Sequence, residues 1–242
     1  MTFRDTHASW KNRDPRIHYR GEQASRMDNV TDAVFGIAIT LLIFNLVNPN
    51  SFADLLVFTK TLPAFLISIS FIFLFWSEHV RFSEIYTLHD TLLTMLNIGF
   101  IALVIFYVYP LRFLTLFLTN FFFGTDIAVN IRGDQVPSLM IYYGFVASAL
   151  YVILFLFYCR AAQLADRLNL NDFERLHTRT QRQRLIIMFS VPFLSILATA
   201  ILQQWSFFWA SVIGGAVYGL YTPAMIIWQR HYLRQSKLHD PD

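Results

Sequence analysis

The chain has 242 residues, 55% of them apolar and 17% aromatic, with 14% charged and a formal net charge of +3. Its mean hydropathy is +0.45. So few charges cannot cover the exterior of a water-soluble domain of this size, so the composition places the chain in a membrane. The single cysteine, Cys159, excludes a disulfide framework within the chain and a thiolate metal cluster.

Residues 1–25 are polar and basic and lack the apolar core of a secretory signal, so they read as a mobile cytoplasmic tail. Six apolar stretches follow, near 28–47, 55–78, 91–113, 137–159, 185–203 and 206–228. A bilayer crossing takes about 20 apolar residues, and a backbone in lipid has to satisfy its own hydrogen bonds. The reading is therefore all-α, with a six-helix membrane domain over 26–230 and a cytoplasmic tail over 231–242.

Orientation follows from the basic residues. Arg4, Lys11, Arg13, Arg16, Arg20 and Arg26 precede the first helix, and Arg160, Arg167, Arg175, Arg179, Arg182 and Arg184 lie around the fourth connection. Basic residues gather on the cytoplasmic side, which puts both termini there in a multi-pass protein of the cell membrane. Trp205, Phe207, Phe208 and Trp209 mark the outer turn of the last hairpin as interfacial anchors. Ser211, Gly215 and Gly219 clear one face of the last helix for close packing, and Pro63, Pro192 and Pro223 fall at or inside helices. The stretch 163–183 reads as a connector with a short helix, and the loop containing NFFFGTDIAVNIRGDQ as a second connector. The first three helices do not repeat in the last three, so a central pathway needs several copies of the chain.

The first helix is the least lipid-like. It opens on Ser25-Arg26-Met27-Asp28, a Ser-x-x-Asp capping pattern. Ala33, Ile37, Thr40, Leu41, Phe44 and Asn48 recur at three- and four-residue spacing on one stripe, and Asp32 projects elsewhere with Phe35, Gly36, Ile39, Ile43 and Leu46. An acid in a membrane helix is costly unless partnered, so Asp32 is expected in a network, with Arg26, Thr31, His79, Arg81 and His89 as candidate partners. Glu78, His79, Arg81, Glu84 and His89 lack the spacing of a zinc site, and there is no nucleophile–base pair, paired-carboxylate arrangement or phosphate loop. No enzyme activity, cofactor or nucleic-acid partner is expected.

Arg26-Met27-Asp28-Asn29-Val30-Thr31-Asp32 resembles the Arg-x-x-x-Phe-Ser-Asp signature of the endolysosomal potassium channel family and its bacterial homologues, with Val30 for Phe and Thr31 for Ser. The stretch from His89 to Asn97, followed by an apolar run to Pro110, resembles the family's third helix. The resemblance implies a homotetramer in which four copies of helix one line a central potassium pathway. It implies a constriction at Ile37, Leu41 and Phe44, potassium passing a ring of Thr40, and a structural network of Arg26, Thr31, Asp32, His79, His89 and Asn97. The chain has no TVGYG filter segment. The competing reading is a proton-conducting or proton-coupled transporter that uses Asp32 and the membrane-proximal histidines as a relay.

Overall fold

The computed structural model describes residues 13–21, 24–44, 50–88, 90–124 and 130–237, without the side chains of Phe44 and Phe123. Its elements are α1 (Arg26–Phe44), α2 (Phe52–Lys60), α3 (Leu62–Tyr86), α4 (Thr91–Phe123), α5 (Val136–Gln163), α6 (Asp172–Leu202), α7 (Phe207–Val217) and α8 (Tyr221–Lys237), with short 3-10 turns before α5 and α8. No strand occurs among the described residues. Among the described residues, five stretches are long and apolar enough to cross a membrane: Leu62–Tyr86, Thr91–Phe122, Gly133–Gln163, Asp172–Leu202 and Phe207–Lys237. The expected sixth, α1, is not among them. It has 19 residues with Arg26, Asp28 and Asp32 in its first two turns, and its continuation through 45–49 lies outside the described residues.

Several boundaries differ from the sequence reading for identifiable reasons. The second stretch is two helices, broken at Thr61, whose N–H bonds the Phe58 carbonyl while Pro63 starts α3. Proline lacks an N–H and is accommodated in a first helical turn. The third stretch, read as ending near 113, continues to Phe123 and a Gly124 cap with φ +59°, so residues 114–123 are helical. Tyr143 donates its hydroxyl to the Pro110 carbonyl from α5.

The expected connector 163–183 is helical from Asp172 onward. Asn171 accepts from the Glu174 N–H at 2.8 Å and donates its own N–H to the Glu174 carboxylate at 2.9 Å, a reciprocal cap that starts α6 well before its apolar part. The final stretch bends through a 3-10 turn before Pro223, and α8 runs on to Lys237, beyond the boundary read at 230. The close approach in this hairpin falls at Gly214 rather than on the Ser211, Gly215 and Gly219 stripe: a Cβ on Gly214 would lie 2.1 Å from the Thr199 hydroxyl, and one on Gly219 would meet nothing.

Residues 13–21 of the basic tail are docked. Ile17 is buried. The Arg20 guanidinium pairs with both oxygens of Glu174 at 2.9 and 3.0 Å, and the His18 N–H adds a bond to the same carboxylate at 2.8 Å. Gly21 donates to the Glu84 carbonyl at 2.9 Å, and a Cβ there would sit 2.7 Å from the Ser83 carbonyl oxygen. This segment straps the ends of α3 and α6 and leads directly to α1.

α1 packs on α3 and α4, α5 lies along α6, and α6 carries α7 and α8. The α3 and α6 backbones do not pack directly. Their gap is bridged by Glu78 and Arg184, paired through both guanidinium NH2 groups, with Gln181 also accepting from Arg184 Nε at 2.8 Å. Breaking a buried pair on one side leaves an uncompensated charge and costs about 3–5 kcal/mol, whereas replacing both partners by apolar groups is often tolerated. Arg184→Leu is therefore expected to lower the thermal midpoint of the purified protein sharply, and Glu78→Leu with Arg184→Leu to recover much of the loss. Equal midpoints for the single and double variants would contradict this account of the pair.

Candidate pore face and polar network of the first helix

α1 starts as its capping pattern predicts: the Ser25 N–H donates to Asp28 at 2.9 Å and the Asp28 N–H to the Ser25 hydroxyl at 3.1 Å. Ser83 of α3 donates to the other Asp28 oxygen at 2.6 Å, tying the cap to the neighbouring helix. Thr31, Phe35, Ala38 and Leu42, spaced by four, three and four residues, are 0–3% exposed and form the side of α1 that meets α3 and α4. Phe35 packs on Phe100 with ring centroids 6.1 Å apart.

Within that contact lies a chain of three polar side chains. Asn97 of α4 donates to the Thr31 hydroxyl at 2.8 Å, and its carbonyl oxygen meets His79 Nε2 of α3 at 2.9 Å. Thr31 donates its own proton to the Met27 carbonyl at 2.9 Å. The proton roles follow in sequence: Thr31 can accept only from the Asn97 amide, so Asn97 presents its oxygen to His79, and His79 carries its proton on Nε2. The imidazole stacks on Phe100 at 5.7 Å and 12°. All three residues are at most 5% exposed, so each bond satisfies a group that water cannot reach.

Of the expected network, the structure brings together Thr31, His79 and Asn97. Asp32 takes a different partner. It is exposed on the chain's surface and accepts from the Trp76 indole N–H at 2.8 Å. The expected partners Arg26, Thr31, His79 and Arg81 make no hydrogen bond or ion pair to Asp32 among the described residues. Arg26 is exposed at the start of α1, and His89 lies outside the described residues. Trp76 and Ser83 are the residues that sequence reasoning missed. Their signal was the spacing Trp76, His79, Ser83, which places an indole, an imidazole and a hydroxyl on one side of α3, opposite Asp28, Thr31 and Asp32 of α1.

The other side of α1 faces out of the chain. Ile37 is 54% exposed and Leu41 37%, with Ala33 and Thr40 also exposed. The Thr40 hydroxyl gives its proton to the Gly36 carbonyl at 2.8 Å, which leaves its oxygen lone pairs for an outside partner. The Phe44 side chain and Asn48 lie outside what is described.

The endosomal/lysosomal potassium channel TMEM175 family matches over residues 26–107, the region that holds α1 and the three-residue chain. A Marivirga tractuosa protein named as a potassium channel is 32% identical over 232 residues, covering 93% of this chain and 94% of the relative. The chain belongs to the TMEM175 potassium channel family. A crystal structure of a variant of the potassium channel MtTMEM175, in complex with a nanobody–MBP fusion protein, superposes with a TM-score of 0.83 at 30% identity, covering 93% of this chain and all of the other. A lysosomal potassium-selective channel TMEM175 homologue from Chamaesiphon minutus shares the fold with a TM-score of 0.54 at 20% identity, over 84% of this chain and 96% of the other. Membership makes this a channel-family membrane protein and not an enzyme.

Removing Asn97 strands the His79 N–H and reopens the α1–α4 contact. A buried donor left without a partner costs about 1–3 kcal/mol. Asn97→Ala is expected to lower the thermal midpoint by an amount of that order, with Thr31→Ser retaining the native value. An unchanged midpoint in Asn97→Ala would show that the three-residue chain does not hold α1.

Proposed function

We propose that the chain forms a passive potassium-selective channel, with α1 as a sixth membrane crossing and four copies of α1 around a central pathway. The observation that carries this reading is the two-sided α1. One side is sealed against α3 and α4 by Thr31, Phe35, Ala38 and Leu42, and the opposite side, Ala33, Ile37, Thr40 and Leu41, is open at the edge of the chain. A stripe at the edge of one chain can enclose a pathway only with other copies. The names of the Marivirga relative and of the MtTMEM175 structure support potassium as the permeant ion.

In this reading Ile37, Leu41 and Phe44 form an apolar neck that closes by losing its water, and opening widens it. A ring of Thr40 oxygens, each with its proton held by Gly36 of its own helix, presents lone pairs to the ion and replaces part of its hydration shell. Hydroxyl oxygens are fewer and less rigid than stacked carbonyls, so selectivity over sodium is moderate. The basic residues of the N-terminal segment and of the α5–α6 region support a cytoplasmic position for both termini in the cell membrane.

The test is flux through liposomes containing the purified protein under potassium and sodium gradients. The native protein is expected to pass potassium down its gradient without coupled proton movement, Ile37→Asn to raise the resting leak several-fold, and Thr40→Ala to shift the potassium-to-sodium ratio. Flux that requires coupled protons, or an unaltered leak and ratio in both variants, would contradict the proposal and favour a relay through Asp32.

A further inference from the structure

The docked strap, the ends of α3 and α6, and α8 line an open cleft of about 530 Å³. Its carboxylates are already engaged. Asp14 takes the Arg16 guanidinium at 2.8 Å, and these hydrogen bonds hold its carboxyl below the usual range. Glu84 stands 3.8 Å from Arg13. Glu78, beside the cleft, is taken by both NH2 groups of Arg184.

Two groups are left with capacity to spare. Arg81, its side chain 49% exposed, makes an i,i+3 ion pair at 3.7 Å with Glu78, a carboxylate whose two oxygens Arg184 already holds, so the Arg81 guanidinium keeps donors to spare on the wall of the cleft. His177 is 8% exposed and lines the cleft, yet neither of its ring nitrogens has a hydrogen-bond partner among the described residues. A buried imidazole without a partner is costly, and such a group calls for an explanation, a missing ligand among them. Arg13, spread over the Tyr19 ring at 4.8 Å and paired with Glu84 by one NH2 group at 3.8 Å, adds its remaining guanidinium donors from the strap.

We propose that this cleft binds a phosphate group, held by Arg81, Arg13 and His177, with Tyr19, Trp76 and Tyr232 as its aromatic walls. The donors come from three separate elements, α3, the strap and α6. A phosphate, with several acceptor oxygens and up to two charges, can answer all three at once, and its geometry suits the guanidinium fork. The same chemistry is carried by an anionic lipid headgroup and by free phosphate. An occupant would fasten the strap to α3 and α6, and so fix the segment from which α1 starts. The inference does not depend on what α1 conducts.

The test uses the purified full-length protein in a phosphate-free maltoside detergent, titrated by calorimetry with inorganic phosphate and, separately, with short-chain phosphatidylglycerol. Saturable binding near one site per chain is expected for at least one probe. Losing the Arg81 charge or the His177 ring N–H is expected to weaken it about tenfold or more in Arg81→Gln and in His177→Phe. Binding of phosphatidylglycerol without free phosphate marks a lipid as the source, and binding of free phosphate marks a soluble one. Arg81 is half exposed, so Arg81→Gln decides the matter if the His177 variant does not fold. Saturation by neither probe, or native affinity in Arg81→Gln, would overturn the proposal.

Discussion

An amide side chain inside an apolar helix contact has to find its partners there, and Asn97 finds one on each neighbouring helix. Its bonds to Thr31 and His79 fix the rotation of α1 against α3 and α4, because a helix turned by one residue, about 100°, would carry Thr31 out of reach. With that rotation set, Phe35, Ala38 and Leu42 fall into the contact, and Ile37, Thr40 and Leu41 are turned away from it. The open stripe is thus a consequence of the closed one. A polar chain of this kind is directional where apolar packing alone is not, which suits a helix that must show one defined side to a pathway.

Around this contact the rest of the molecule works as a brace. The backbones of α3 and α6 stand apart, and the Glu78–Arg184 pair spans the space between them. At the same end of the bundle the strap carries Arg20 to Glu174, a carboxylate that also serves as the cap of α6. One acid therefore ends the chain segment before α1 and begins the helix on which α5, α7 and α8 are assembled. The Asp90–Arg160 pair, at 2.7 Å, joins α4 to α5 at their adjoining ends. The charged residues that the positive-inside rule reads as orientation signals are also the fasteners of this end.

Much of the arrangement was legible before any coordinates. The Ser25–Asp28 cap and the α1 stripe rest on local spacing, which a sequence displays directly; the cap forms as read, and Ala33, Ile37, Thr40 and Leu41 of the stripe share the exposed side of α1, while the Phe44 side chain and Asn48 lie outside the described residues. His79 entered the expected network as a candidate partner for Asp32, and Asn97 through the family resemblance. Asp32 was expected in a buried network because acids are expensive in lipid, yet it sits exposed on this chain with an indole as its donor. Trp76 lies inside the second apolar stretch, where hydropathy does not register its N–H. The early start of α6 was masked by composition. Residues 172–183 are too polar for a membrane span, but helix formation there is decided by the Asn171 cap, not by apolarity. Docking of 13–21 depends on Glu174, some 150 residues away, and no local pattern reports such a pairing.

The central claim is that the open stripe of α1 lines the conduction pathway, and cysteine accessibility tests it most directly. In a background where Cys159 is replaced by serine, single cysteines are placed along α1 and the potassium current is followed while a thiol-reactive cation is added. The account predicts block at positions 33, 37 and 40, and none at position 38, where Ala38 is sealed against the neighbouring helices. Block that is absent at 37 and 40, or that is equal at 37 and 38, would contradict it.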